Sequence, residues 1–217
     1  TRSIWVTGVQ TCALPISNQA TVNYSVGGVS QTPINSSVAT FVVDSRIDLT
    51  VTRLDTSPVV ARPNETAVVA SFTVTNTGNS IQSYRLTATD LSGGTVFGNT
   101  DNLDGLVLTT AVDTNADGDY DTGVDQIGNL GNIAPAAVPT PVRVFVLANI
   151  PAGATNGQFA SISLAAAAAT AGSAGATLAT ETTTADDPAV VDVVFADSGE
   201  NGAERSEEHT SELQSPI

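Results

Sequence analysis

Ala67-Val68-Val69-Ala70-Ser71-Phe72-Thr73-Val74-Thr75-Asn76-Thr77-Gly78-Asn79-Ser80 alternates apolar with hydroxylated or small side chains and then breaks into an Asn/Gly turn. Successive side chains of a strand point to opposite faces, so this order predicts a strand that buries Val68, Ala70, Phe72 and Val74 on one side. Ser83-Tyr84-Arg85-Leu86-Thr87-Ala88-Thr89 returns with Tyr84, Leu86 and Ala88 inward. The turn between the two is longer than a tight hairpin, which predicts that they lie in facing sheets.

The same alternation extends both ways. Ile47, Leu49 and Val51 alternate with Asp48, Thr50 and Thr52, giving a first strand. Upstream, Ala20-Thr21-Val22-Asn23-Tyr24-Ser25-Val26 sets Thr21, Asn23 and Ser25 on one face and the apolar residues on the other, with Gly27-Gly28 as the turn and Ser37 to Val43 as the returning strand. Downstream, Leu106 to Val112 and Val142 to Ile150 read as strands, and Phe159 to Ala165 is expected to pair with the latter as an antiparallel neighbour. Past Gly172 the pattern weakens, and Val190 to Phe195 reads as ordered. Short half-apolar strands in this order imply an all-β, two-layer sandwich, because each sheet must bury one face. Phe72, Tyr84 and Phe145 are expected in its core.

The chain carries 22 acidic against 7 basic side chains, a formal net charge of −15. Such acidity argues against a nucleic-acid partner, whose phosphates demand clustered Lys or Arg. No apolar run reaches membrane-spanning length without interruption, so no transmembrane segment is expected. Aromatic residues make up 5% of the chain, few to line a sugar cleft, and no pattern points to an enzyme.

Chemistry concentrates in Asp113-Thr114-Asn115-Ala116-Asp117-Gly118-Asp119-Tyr120-Asp121-Thr122-Gly123-Val124-Asp125. Oxygen-bearing side chains fall at alternate positions around a glycine, as in loops that wrap a hard cation. Asp113, Asn115, Asp117, Asp119 and Asp121 follow that pattern, and Val124 stands where a closing Glu belongs, with Asp125 one place later. Crowded carboxylates repel one another and a divalent ion relieves that cost, so the loop predicts Ca²⁺ rather than Mg²⁺, held by Asp113, Asn115, Asp117, Asp119, Asp121 and Asp125. The preceding strand and following Gly and Pro residues make it a clip between strands rather than an EF-hand. Asp90, Asp101 and Asp104 are expected to be ordinary turn residues.

Both ends look foreign to the rest. Val9 to Ile16 resembles the conceptual translation of a sequencing adapter, and Arg205 to Pro216 resembles its other strand, so residues 1–17 and 205–217 are set aside from the fold. That removes Trp5, Cys12 and His209, the only residues of their types. The missing initial Met and abrupt end make the chain read as a fragment.

Asn18 to Val26, Ile47 to Val51, Phe72 to Asn79 and Ile150-Pro151-Ala152-Gly153 resemble the conserved-repeat immunoglobulin-like domains of large bacterial exported proteins. The stretch Asp113 to Asp121 is similar to the Asp-rich loop those domains often carry. The resemblance implies an immunoglobulin-like antiparallel β-sandwich over 44–204, not necessarily complete, with 18–43 as closing strands of a truncated preceding domain. It further implies a non-enzymatic structural repeat module of a secreted or cell-surface protein, stiffened by Ca²⁺, whose partners are neighbouring domains of the same chain. The alternative is an adhesion module that recognises carbohydrate or protein through its loops.

Overall fold

The computed structural model describes residues 16–182 and 190–196, and the backbone of 210–216. Of the adapter-like ends, residues 1–15, 205–209 and 217 lie outside the described residues. All regular structure among the described residues is β.

The chain opens with a ribbon. β1 (Ile16–Asn18), β2 (Thr21–Val22) and β3 (Ser25–Val26) run out to a Gly27-Gly28 turn, and β4 (Val29–Ser30), β5 (Ile34–Asn35) and β6 (Ala39–Phe41) run back. Both turn glycines have positive φ, 58° and 83°, the backbone a two-residue hairpin loop needs. Opposed residues share a face: Ile16 meets Phe41, Val22 meets Ile34 and Val26 meets Val29, while Ser17 meets Thr40, Thr21 meets Asn35 and Ser25 meets Ser30.

Next come β7 (Ser45–Ile47), β8 (Leu49–Arg53), β9 (Val68–Asn76), β10 (Gln82–Leu91) and a small ribbon of β11 (Thr95–Val96) with β12 (Asn99–Thr100). They are followed by β13 (Val107–Val112), β14 (Gln126–Ile127), β15 (Leu130–Ile133), β16 (Val142–Asn149), β17 (Ser161–Ala169), β18 (Val193–Phe195) and β19 (Thr210–Pro216). One antiparallel sheet of five strands has the order β14-β13-β16-β9-β8, and another of four has the order β15-β10-β17-β19. β18 pairs in parallel with β7. As the long turn predicted, β9 and β10 lie in different sheets.

The expected pairing of the Phe159–Ala165 segment with Val142–Ile150 does not occur. β16 has both edges filled, by β13 and β9, and β17 pairs instead with β10 over Ser161 to Ala169. A strand with two satisfied edges has no backbone groups left for a third neighbour.

Phe72, Val74, Val144 and Val146 from the first sheet and Tyr84, Leu86, Ile162 and Leu164 from the second belong to one apolar cluster. Phe72, Tyr84 and Phe145 are at most 1% exposed, so all three are core residues. Each such side chain contributes about 1.5–3 kcal/mol by leaving water. Phe145 and Leu147 face the other way and form, with Ala111, a second cluster packed by Val69 and Tyr120.

The turn after β9 ties these elements together. The buried Asn76 amide donates to the carbonyls of Ser80 and Ile133, both at 2.9 Å, and its oxygen accepts the Gly78 N–H at 3.0 Å. Thr77 and Gly78 N–H groups donate to the Asp48 carbonyl. Asn79 accepts the Arg46 N–H at 2.7 Å and donates to the Asp44 carbonyl at 2.9 Å. Glycine is required at 78 by packing, since a Cβ there would overlap the Arg46 carbonyl. Asn76→Ala leaves two carbonyls and an N–H without their partner, and a loss of roughly 2–4 kcal/mol is expected in urea unfolding. Stability within 0.5 kcal/mol, about the scatter of a neutral surface change, would mean that the turn is not a fixed point of the fold.

Candidate functional site

β13 runs directly into the acidic loop, and β14 receives the chain after Asp125. Positive φ at Ala116, Gly118 and Gly123 curls the intervening backbone so that several N–H groups point inward. Two buried carboxylates collect them. Asp113 accepts the Ala116 N–H at 2.7 Å on one oxygen and the Gly118 N–H at 3.0 Å on the other. Asp125 accepts Thr114 N–H at 3.0 Å and Asp121 N–H at 2.8 Å in the same divided manner.

The remaining predicted residues sit outside that pair. Asn115 turns its amide nitrogen toward Asp117 at 2.7 Å and Asp121 at 3.3 Å. Asp119 supplies its backbone N–H to Asp117 at 3.0 Å. That amide, foremost, holds the Asp117 carboxyl below its ordinary range, whereas hydrogen bonding to Asp117 and the charge there raise Asp121.

The expectation of Ca²⁺ is overturned by this geometry. Among the described residues no group of three or more His, Cys, Asp or Glu side chains is placed to hold a metal ion. Asp113 and Asp125 spend their oxygens on backbone amides, and Asn115 presents donors where a ligand oxygen was expected. The loop brings Asp113, Asn115, Asp117, Asp121 and Asp125 near one another without turning their oxygens to a shared centre.

The cation seated against the loop is Arg143. Its guanidinium donates to the Gly118 carbonyl at 2.6 Å, and its own carbonyl accepts the Asp113 N–H at 3.2 Å. A Cβ at Gly118 would come within 3.0 Å of that guanidinium, so glycine is needed both for φ and for room. Tyr120 closes the contact, its ring meeting Phe145 edge-on at 6.0 Å and 68°. The loop is therefore a lid packed on the outer face of β16. Sequence reading missed Arg143, although an arginine inside the apolar run Val142 to Ile150 was the available signal.

Asp101 and Asp104 lie in loops, as expected, whereas Asp90 stands within β10 rather than in a turn. Asp90 accepts Gly105 and Leu106 N–H groups at 2.8 and 3.0 Å, Asp101 accepts Ser161 N–H at 3.2 Å, and Asp104 accepts the Ser92 hydroxyl at 3.2 Å. Burial, the largest influence on Asp90, raises its pKa above the ordinary carboxylate value.

Two surfaces remain. A cleft of about 490 Å³ is lined by Val59, Val60, Pro63, Ile150 and Phe159, with Arg62 beside them. The ribbon 16–43 carries no charged residue, and Ile16, Val22, Tyr24, Val26, Val29, Ile34 and Phe41 on it are 40–65% exposed. No helix among the described residues is long and apolar enough to cross a membrane.

Two outcomes test the loop. Asp113→Ala should cost about 2–3 kcal/mol, the penalty of two unpaired amides, equally in chelator and in millimolar Ca²⁺; a penalty that appears only with Ca²⁺ would restore the metal. Asp121 has a raised folded pKa, so its ionised form weakens the fold at neutral pH and that effect fades as pH falls through the raised value. Asp121→Asn should therefore melt higher than the parent at neutral pH, the gap closing in acid; a lower melting point at neutral pH would show that repulsion from Asp117 is unimportant.

No protein-family model matches the chain, and no curated protein matches it. Among solved structures, a chain described as AvmM, which catalyses macrocyclization in alchivemycin A biosynthesis, is 13% identical over 82% of this chain and 91% of its own, with a TM-score of 0.32. At that score the likeness carries no argument about fold or activity.

Proposed function

We propose that the chain is a non-enzymatic structural module of a larger secreted or cell-surface polypeptide, an immunoglobulin-like β-sandwich that docks against a neighbouring module. The observation that carries this reading is the ribbon 16–43. Its apolar row lies on one face, its hydroxyl and amide row on the other, and no described residue covers the apolar side. A two-stranded ribbon is marginal alone in water, and a sheet with one apolar face is stable when that face is covered. Contiguous exposed apolar surface of this kind marks a contact site.

Further support comes from the two antiparallel sheets sharing one apolar cluster, and from the resemblance of Phe72 to Asn79 and Ile150 to Gly153 to exported repeat domains. The ribbon continues through Val42, Val43 and Asp44 into β7, so a module placed against it would be held close to the 44–204 unit. The acidic loop stiffens the unit through Arg143 and Tyr120 without a metal. Adhesion to a carbohydrate or protein is the second reading, and the cleft beside Val59 and Phe159 is what favours it.

Hydrogen exchange separates the two. Attached to the module that adjoins it in the intact reading frame, residues 16–43 should exchange at least about tenfold more slowly than in this chain alone, because exchange then requires undocking. The free chain should bind a hydrophobic dye that Val22→Ser/Tyr24→Ser/Val26→Ser abolishes. Unchanged exchange in the joined polypeptide would reject tandem docking and leave the cleft as the functional surface.

A further inference from the structure

Arg62 is the described arginine whose charge is not already engaged. Arg46 pairs with Asp48, Arg53 lies over the Phe97 ring, Arg85 donates to the Gly175 and Ala176 carbonyls, and Arg143 donates to that of Gly118. Among the described residues no hydrogen bond or ion pair reaches the Arg62 guanidinium. Its backbone is held instead. The Arg62 N–H donates to Glu65 Oε2 at 2.6 Å and its carbonyl accepts the Glu65 N–H at 3.1 Å, so the side chain leaves from a fixed turn. It stands at the cleft of about 490 Å³, and it is the one charged residue among those that line it.

The cleft is built by the fold itself. Leu103, Ile150 and Ala154, which line it, belong to the main apolar cluster or pack against it. Phe159 is fixed by Asn102, whose Oδ1 accepts the Phe159 N–H at 2.9 Å and whose N–H donates to the Phe159 carbonyl at 2.9 Å. The rest of the lining includes the run Val59-Val60-Ala61. Val59 and Ala61 pack against the apolar cluster while Val60 is 91% exposed, the alternation of an extended chain. Yet this run belongs to no sheet, and among the described residues none of its backbone N–H or C=O groups has a protein partner. Extended backbone with open donors and acceptors, beside an apolar hollow, is the arrangement to which a peptide adds as a strand. The volume falls within the roughly 300–1,000 Å³ that small-ligand sites occupy.

We propose that the cleft is a peptide site, which takes the C-terminal end of an extended apolar peptide along 59–61 and its terminal carboxylate on Arg62. A guanidinium offers a carboxylate two parallel N–H donors, so it fixes direction as well as charge. The extended run stops at Arg62, where the chain turns back on Glu65. A strand laid along 59–61 loses its pairing partner at that point, which suits a chain terminus better than a continuing strand. At −15 the protein repels a carboxylate over most of its surface, and on this cleft Arg62 offsets that repulsion. This ligand class rests on the cleft being a functional surface. The cleft shares no residue with the ribbon 16–43, so tandem docking stands or falls separately.

The probe is the N-acetylated tetrapeptide Thr-Val-Thr-Val with a free C-terminus, titrated into the isotope-labelled full chain and followed by amide NMR. Amides of 59–62 and 154–159 should shift saturably, and at saturation at least one amide of 59–61 should exchange at least about tenfold more slowly as the ladder forms. The C-terminal amide of the same peptide, and the acid peptide on Arg62→Gln, should each bind at least about tenfold more weakly. Val60→Glu, at an exposed position, should weaken the acid peptide by repulsion. Equal binding of acid and amide, undiminished binding to Arg62→Gln, or unchanged exchange at 59–61 overturns the proposal. An amidated Thr-Val-Asp-Val peptide that binds as tightly as the acid overturns the terminal carboxylate. Maltotetraose run in parallel separates the remaining failures: shifts at the cleft with the sugar and none with the peptide overturn the peptide but not the cleft, and shifts with neither remove both.

Discussion

The buried amide of Asn76 is the constraint on which the two sheets depend. It sits at the last residue of β9, with donors fixed on the Ser80 and Ile133 carbonyls and its oxygen on the Gly78 N–H. One planar group thereby holds the end of a strand in the first sheet, the start of the crossing to β10, and a strand of the second sheet. Aspartate has no donors for the two carbonyls, and serine is too short to span them. Gly78 and Asn79 extend the same joint to Asp44, Arg46 and Asp48, so the entry of the chain into β7 and β8 is set at that point too. Hydrophobic burial supplies most of the free energy, yet it is non-directional and cannot by itself choose how the strands connect.

Acidity in this chain serves backbone amides. Asp113, Asp125, Asp90 and Asp101 each accept loop or strand-end N–H groups, and Asp55 accepts the N–H of Ser71, within β9, at 2.8 Å. A carboxylate at a tight turn satisfies donors that the turn takes out of any ladder. Loops that wrap a cation and loops that wrap their own amides need the same ingredients, oxygen side chains at short spacing and a glycine at positive φ. The sequence of 113–125 cannot separate them. The difference is made at a distance, by Arg143 on β16, which brings a positive charge to the Gly118 carbonyl, and by Tyr120, which anchors the loop to Phe145.

Strands were legible in the sequence because period-2 alternation is a local signal. The buried rows of β9 and β10 fell where the pattern put them, and so did the separation of the two strands into different sheets. Partners were less legible. β16 and β17 are consecutive and each reads as a strong strand, yet the connection between them changes sheets, because β16 already lies between β13 and β9. The parallel pairing of β18 with β7 joins residues near 45 to residues near 194, a separation over which alternation carries no information. The loop was legible as a concentration of carboxylates and misread as a metal site: Asp113 and Asp125 accept backbone N–H groups, and hydrogen-bond direction is a property of backbone dihedrals that composition does not encode.

Charge then narrows where this molecule can meet another protein surface. A chain at −15 repels its copies and other acidic surfaces over most of its area. The ribbon 16–43 escapes that repulsion, since it contains no ionisable acid or base apart from Tyr24. The ribbon exposes side chains, so its contact is apolar and tuned by shape. The charged loop 113–125 packs on the outer face of β16 through Arg143 and Tyr120. Within the densest cluster of carboxylates, by contrast, Asp113 and Asp125 are turned inward on the loop's own amides.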